Sequence, residues 1–180
     1  MNDTIPPGWM PIPYAVDPAT APAVTEALLA TAAEAFPGLV VDDSSRRLTT
    51  EAITRLPVEE GTIARLWHMF GRPATGLIAD LTIAEPTADL AARAGSTFGK
   101  VHVQRVIPFP DGLVSFSFVA PETESRPAIL LRAQRREGGK VLTADVLSTE
   151  APLLGLIVDD LIQIVGGEIP LRDDGGHPLA

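Results

Sequence analysis

The chain of 180 residues contains no cysteine, which excludes disulfide bonds, zinc–thiolate sites and thiol nucleophiles. Basic side chains are also few. The chain has 14 Lys and Arg against 23 Asp and Glu, and its formal net charge is -9. Nucleic acids and anionic membranes are bound through basic surfaces that release counterions. Neither is therefore an expected partner.

The sequence also lacks a long hydrophobic run. Its N-terminal segment has neither the basic region nor the apolar region of a secretory signal peptide. The longest apolar-rich stretch, 153–167, is interrupted by Asp159 and Asp160 and is too short to span a bilayer. These features predict a soluble, cytoplasmic protein, with leaderless export left open. The scarcity of lysine beside abundant alanine, proline and arginine is typical of a GC-rich bacterial genome.

The overall balance of residues is that of a globular protein, with 46% apolar and 21% charged side chains. A chain of this length can bury a substantial core without a metal or disulfide. We therefore predict a single domain over residues 9–170. The segments 1–8 and 171–180 are polar or rich in proline and glycine, and we expect both to be flexible.

The first elements are predicted from proline and capping signals. The prolines in WMPIPY allow at most an irregular edge strand near Trp9. Asp17 and Pro18 then form a cap and first-turn pair for a helix that Pro37 and Gly38 end. The residues that follow, from Leu39 to about Arg47, are expected to form a loop.

Segment 49–70 has two possible structures. It could form a hairpin around VEEG, or a helix over 57–70 with Pro57 in its first turn. Acidic residues near the start, Gly71 beyond the end and an apolar face that includes Trp67 agree with the helix. We therefore predict the helix and keep the hairpin as the alternative.

The next segments alternate in hydrophobicity. Residues 77–83 have apolar side chains at every second position, which predicts a strand covered on one side. A short helix is expected over 86–95. Two hairpins should follow, the first with a loop at Asp111-Gly112 that pairs Phe109 with Val114, Ile107 with Phe116 and Val103 with Ala120. The other face of this hairpin, with His102, Gln104, Ser115 and Ser117, is expected to be solvated.

The second hairpin turns at Gly138-Gly139, although a helix over 126–137 is a close alternative. Its expected register pairs Leu131 with Val146, Ala133 with Ala144, Arg132 with Asp145 and Glu137 with Lys140, so opposite charges face each other. A final helix runs from Pro152 to about Val165. The predicted fold is α+β, a mostly antiparallel sheet with helices packed on one face.

No residue pattern predicts catalysis, a metal or a cofactor. The sequence has no glycine-rich phosphate loop, no HExxH motif and no nucleophile elbow. His68, His102 and His177 lie far apart in the sequence, and no acidic partner for His102 is identifiable. A hydrolase built on His102 with Ser115 or Ser117 is therefore a minor alternative, and we predict a protein that is not an enzyme.

The sequence has more apolar residues than one packed face of each helix requires. Most belong to a core, but a protein partner or a second copy could cover some of them. The candidates for such a surface are Trp9, Trp67, Met69, Phe70, Leu153, Leu156 and Ile164.

Two hairpins followed by an apolar helix form the last third of the chain, in VHVQRVIPFPDGLVSFSFVAP, AILLRAQRREGGKVLTADVLS and APLLGLIVDDLIQIV. This pattern resembles the Mog1/PsbP-like fold and uncharacterised small α+β proteins of GC-rich bacteria. The resemblance includes no diagnostic motif. It implies a binding or assembly factor without a catalytic site.

The sequence thus favours a non-catalytic protein-interaction module, such as an accessory, chaperone or immunity-type factor that could be associated with secretion. The alternative is a domain that binds a small molecule or lipid in an apolar pocket between the sheet and the predicted helices 57–70 and 151–165.

Overall fold

A computed structural model describes residues 5–68, 77–85, 101–119, 128–137 and 139–167, with the backbone alone for 101–104 and 137. The predicted helix at 86–95, the candidate residues Met69 and Phe70, and the tail 171–180 lie outside these residues. In chain order, the elements are β1 Trp9–Ile12, α1 Ala21–Ala35, α2 Asp43–Thr54, β2 Thr62–His68, β3 Ile78–Ala84, β4 Val101–Phe109, β5 Gly112–Val119, β6 Ala128–Glu137, β7 Lys140–Ser148, α3 Ala151–Leu156 and α4 Val158–Gly166.

The seven strands form one sheet in the order β1-β2-β3-β7-β6-β5-β4, and every neighbouring pair is antiparallel. The predicted α+β class with an antiparallel sheet is confirmed, and β1 is the expected edge strand. Residues 1–4 of the predicted flexible N-terminus lie outside the described part of the chain. Ile5 packs against the core.

Helices cover both faces of the sheet, so the expectation that they lie on one face is wrong. On the first face, α3, α4 and apolar side chains from all seven strands form one core, which includes Leu66, Leu131 and Leu161. On the second face, α1 and α2 pack on Trp67 and on residues of β1 and β3. Along the central strands, side chains that point to either face of the sheet are therefore buried.

The predicted helix over 57–70 is wrong, because residues 62–68 form β2 and pair with β1 and β3. Leu66 faces the α3–α4 core while Trp67 faces α1 and α2, so neighbouring apolar residues are buried on opposite sides. A strand of this kind has no alternation of apolar and polar residues, which makes it resemble a buried helix in sequence.

The helix on this part of the chain is α2, which includes residues 43–47 that were predicted to lie in a loop. Asp42 caps it: its side chain accepts a hydrogen bond from the Ser45 amide, and the Ser45 side chain accepts one from the Asp42 amide. These two amides would otherwise be unsatisfied at the helix start. The capping box is visible in the sequence and was missed.

The second hairpin has the predicted register, including the pairs Leu131–Val146, Arg132–Asp145 and Glu137–Lys140. The first hairpin is shifted by two residues, with Ile107 opposite Val114 and Phe109 opposite Gly112. Asp111 takes the left-handed conformation of the turn at φ 59, and a Cβ at Gly112 would collide with the Phe109 ring.

Because the shift is by two residues, the side chains of Ile107 and Val114 still point to one common face, as predicted. A bulge between Val103 and Arg105 changes the register again, so Val103 lies opposite Ser117 and not opposite Ala120 as predicted.

The predicted final helix is divided at Ile157 into α3 and α4. Ile157 has φ -105 and ψ 6, outside the helical range, and its buried side chain joins the core beside Leu154 and Leu161. Among the described residues, no helix combines the length and the apolar character that a membrane crossing requires.

Candidate functional site

A row of polar side chains crosses five strands on the second face of the sheet, the face that α1 and α2 partly cover. Strand register places its members directly opposite one another from β2 to β5. We call this the polar row; its members are Arg65, Asp80, Asp145, Arg132 and Ser115. All are buried except Asp80, which is half-buried. Buried charges are stable only when they are paired, so the pairing in this row matters.

Arg65 at one end of the row has a partner for every part of its guanidinium group. Its Nε and Nη2 donate to the two carboxylate oxygens of Asp80 at 2.5 and 2.8 Å. Its Nη1 donates to the carbonyl of Ala52 in α2 at 2.7 Å, and Nη2 also donates to the carbonyl of Pro57. Arg65 therefore fixes the end of α2 and the following loop to the sheet.

Arg132 forms the equivalent pair with Asp145 on the neighbouring strands. Its Nε donates to Oδ1 at 2.6 Å and its Nη2 donates to Oδ2 at 2.5 Å, so this pair is also bidentate. The Nη1 atom is buried, and in the described part of the chain it has no hydrogen-bond partner. Where Arg65 binds a backbone carbonyl, Arg132 thus retains two unused N–H donors.

Three further buried atoms near Arg132 have no partner within the described ranges: Ser115 Oγ, Ser117 Oγ and Gln134 Oε1. Ser115 lies opposite Arg132, Ser117 is two residues further along β5, and Gln134 is two residues from Arg132 on β6. With Arg132 Nη1 they form what we call the unpaired cluster. The sequence analysis expected Ser115 and Ser117 to be solvated. Both are at most 1% exposed, so this expectation is wrong.

Negative charge predominates around the Arg132–Asp145 pair. Asp80 is the cross-strand neighbour of Asp145, and both Asp80 and Glu59 repel its carboxylate. Burial raises the pKa of Asp145 above its ordinary value of 3.8, and these two acids raise it further, whereas the hydrogen bonds and charge of Arg132 lower it. The polar row has equal numbers of acids and bases, and Glu59 adds a further negative charge near the Arg132–Asp145 pair.

A cavity of about 120 Å³ lies on the same face, between α2 and the sheet. Its wall is mostly apolar, and Glu51 of α2 is the charged residue among those that line it. Its lining residues are Leu48, Glu51, Ala52, Leu56, Trp67 and Ile78. The predicted pocket between the sheet and helices 57–70 and 151–165 is misplaced, since 62–68 is a strand and α3 and α4 lie on the opposite face.

Trp9, His68 and Asp160 form a cluster on the first face that joins β1, β2 and α4. The Trp9 indole N–H donates to Asp160 Oδ2 at 3.0 Å, and His68 Nε2 lies 3.8 Å from the same oxygen. The Trp9 and His68 rings meet edge to face with centroids 4.7 Å apart. Burial lowers the pKa of His68, and the charge of Asp160 opposes this effect. Asp160 therefore connects α4 to β1 through a hydrogen bond with a buried tryptophan.

The described candidates for a partner surface differ in exposure and do not form one exposed surface. Trp9, Trp67 and Ile164 are buried in the two cores, so they do not form an exposed surface for a protein partner. Leu153 is half-buried and packs against the α3–α4 core. Leu156 in α3 is 60% exposed and is the accessible member of the set.

Catalytic and metal-binding groups were not predicted, and among the described residues no cluster of three or more His, Asp or Glu could hold a metal ion. The side chain of His102 lies outside the description, so the minor hydrolase alternative stays a prediction. Ser115 and Ser117 are more than 95% buried, which removes any nucleophile there from direct solvent contact.

Comparison of the chain with known protein families and with curated proteins finds no match. The candidate sites are therefore defined by geometry alone. Of their residues, the Arg132–Asp145 pair was predicted from the hairpin register, whereas Arg65 was missed because its segment was assigned to a helix. An arginine between apolar residues in IARLW is a signal that could have identified it, since a buried arginine requires a partner.

Proposed function

We propose that the protein is a non-catalytic binding module that accommodates a small ligand in the cavity between α2 and the sheet. The observation that carries this proposal is the cavity itself, about 120 Å³ in volume and lined by Trp67 and aliphatic side chains. Apolar cavities of roughly 150 Å³ hold a benzene-sized molecule. This cavity is therefore suited to one small hydrocarbon group.

Glu51 sets the expected charge of the ligand. Glu51 is the charged residue among those that line the cavity, and within the described part of the chain it has no salt-bridge partner. A ligand that carries an ammonium group beside its hydrocarbon group would place opposite charges together at a partly apolar wall. We therefore expect small aromatic or branched aliphatic amines to bind and the corresponding carboxylates to be rejected.

The test is a titration of the full chain with benzylamine, benzyl alcohol and benzoate, followed by Trp fluorescence and by amide NMR shifts of α2. We expect saturable binding of benzylamine and no binding of benzoate. Glu51→Gln should weaken the binding of benzylamine by about tenfold, which corresponds to about 1.4 kcal/mol. The matched control is Glu34→Gln, because Glu34 lies exposed on α1 away from the cavity.

Absence of saturable binding by all three compounds would reject the proposal. Equal affinity for benzylamine and benzoate would reject the assigned role of Glu51. Ala52→Leu provides a second variant, because the larger side chain fills the cavity and should abolish binding if the variant retains its fold.

A protein-interaction module is the second candidate, and Leu156 is the observation that favours it. A leucine 60% exposed on a short helix is the type of side chain that a partner or a second copy covers. Light scattering after size exclusion tests self-association: a dimer that Leu156→Asp converts to a monomer would support it, and a monomer at all concentrations would oppose self-association.

The resemblance to the Mog1/PsbP-like fold is likewise a proposal. Both hairpins and the apolar helical segment that suggested it are present as β4–β5, β6–β7 and α3–α4. These elements support a binding or assembly role without catalysis, and they are compatible with either candidate function.

A further inference from the structure

We propose that the unpaired cluster on β5 and β6 is a second binding site, specific for a small uncharged molecule that carries several hydroxyl groups. The cluster consists of Arg132 Nη1, Ser115 Oγ, Ser117 Oγ and Gln134 Oε1. It lies on the same face as the cavity but does not include any of its lining residues. The proposal therefore stands independently of the proposed function.

The argument begins with the cost of leaving these atoms without partners. A buried polar atom that makes no hydrogen bond destabilises a protein by about 1–3 kcal/mol, and native proteins leave few of them. Four such atoms lie on one face of two adjacent strands, each in a residue at most 3% exposed. Four together in one place indicate a site that another molecule completes.

Arg65 and Arg132 show what the missing partner supplies. Both arginines use Nε and Nη2 for an aspartate on the adjacent strand. In Arg65 the remaining nitrogen, Nη1, donates to the Ala52 carbonyl oxygen. Arg132 Nη1 therefore requires an oxygen acceptor from outside the described residues.

The other atoms require more than an acceptor. Gln134 Oε1 can only accept a hydrogen bond, whereas the hydroxyl groups of Ser115 and Ser117 can donate and accept. A hydroxyl group is the simplest ligand group that can accept from Arg132 and, at another position, donate to Gln134. Residues two apart on a strand are separated by about 7 Å, and opposite residues by about 5 Å. A molecule with hydroxyl groups at such spacings fits the cluster.

Charge argues against an anionic ligand. Arg132 is already neutralised by Asp145 through two hydrogen bonds, and Asp80 and Glu59 repel negative charge at this pair. The nearest positive charge is therefore compensated, and the surrounding acids disfavour a phosphate or carboxylate. An uncharged polyol avoids both the repulsion and the cost of burying a charge.

The experiment is an amide NMR titration of the full chain with glycerol, myo-inositol and glucose, and separately with phosphate. We expect saturable shifts at residues 113–117 and 130–134 with at least one polyol, and none with phosphate. Saturation is the required readout, because polyols also stabilise proteins by exclusion from the surface, an effect that does not saturate.

Variants distinguish a binding role from a structural one. Ser115→Ala and Ser117→Ala together should weaken polyol binding by about tenfold, while the stability of the free protein stays equal or rises because two unpaired hydroxyl groups are removed. The matched control is Thr25→Ala, which deletes a buried hydroxyl that bonds Thr50. It should lower stability and leave polyol binding unchanged.

Three results would overturn the proposal: no saturable shift with any of the three polyols, saturation by phosphate, or unchanged polyol affinity in the double serine variant. If that variant fails to fold, either single serine variant supplies the same comparison.

Discussion

At the scale of single residues, the two arginines of the polar row have different consequences for stability. Arg65 satisfies a carboxylate and two backbone carbonyls from β3, α2 and the following loop, and its side chain is completely buried. Arg132 satisfies Asp145 alone among the described residues. Arg65 therefore connects separate parts of the fold, whereas Arg132 retains N–H donors that a ligand could use.

Removal of Arg65 should therefore be among the most damaging single changes. Arg65→Ala leaves Asp80 without its partner and removes the donors to the buried Ala52 carbonyl and to the Pro57 carbonyl. Breaking a buried pair costs about 3–5 kcal/mol. Urea denaturation should show this loss in the free energy of unfolding. Arg55→Ala, an exposed change at the end of α2, is the control and should alter it by less than about 0.5 kcal/mol. Similar losses in both variants would contradict the role of Arg65.

His68 should make stability depend on pH. Burial lowers the pKa of this imidazole below its ordinary value of 6.5, so the unfolded chain binds the proton more tightly than the folded chain. The contribution of His68 is complete above pH 6.5 and is lost as the pH falls towards the folded pKa. Denaturation between pH 5 and 8 should show this decline, and His68→Gln should remove it. An unchanged decline in the variant would assign it to another group.

At the scale of the elements, glycines in the left-handed region determine where strands begin. Gly61 precedes β2 with φ +82, and a Cβ there would collide with the carbonyl oxygen of Ile83 on β3. Gly139 in the second hairpin has a similar φ of +75, but a Cβ there meets nothing within 4 Å. Comparison of the two positions separates the free-energy cost of the left-handed backbone conformation from the cost of a clash with the neighbouring strand.

Gly139→Ala should lower the free energy of unfolding by about 1–2 kcal/mol, which is the cost of the left-handed conformation alone. Gly61→Ala should lower it by more, because the β2–β3 pairing must also shift. Thermal or urea denaturation measures both changes. Equal losses would show that the close approach to Ile83 costs nothing.

At the scale of the whole molecule, the sheet is buried on both faces at its centre and ends in two edge strands of different length. β1 has four residues and includes Pro11, and β4 has nine residues with a bulge and Pro108. Prolines and bulges are features that limit the addition of further strands at sheet edges. The two edge strands are therefore poorly suited to pairing with a strand of another protein.

Hydrogen exchange should follow this arrangement. The amides of β3, β7 and β6 lie at the centre of the sheet between two covered faces, and we expect them to exchange last. The amides of β1 and β4 should exchange earlier, because each edge strand has one neighbour within the described sheet. Exchange measured by mass spectrometry or NMR tests this order. Early exchange of β7 would contradict the order of the strands.

The sequence by itself determined the elements whose information is local. The register of the β6–β7 hairpin follows from opposite charges and apolar pairs on either side of two glycines. The Arg132–Asp145 pair could be predicted from the sequence for the same reason. α1 ends before Pro37 and Gly38 as predicted, but it begins at Ala21 and not at the predicted Asp17 and Pro18. Turn chemistry misplaced the first hairpin by two residues, because the left-handed turn residue is Asp111 and not Gly112.

Only the tertiary structure decided which strands are covered on both sides. Residues 62–68 form a strand because separate helix pairs pack on opposite faces of the sheet and because distant strands meet across it. Ser115 and Ser117 are buried on one of these faces. Burial on two faces removes the alternation by which a strand is recognised in sequence. Contacts between residues far apart in the chain create the polar row and the cavity, and no local pattern encodes them.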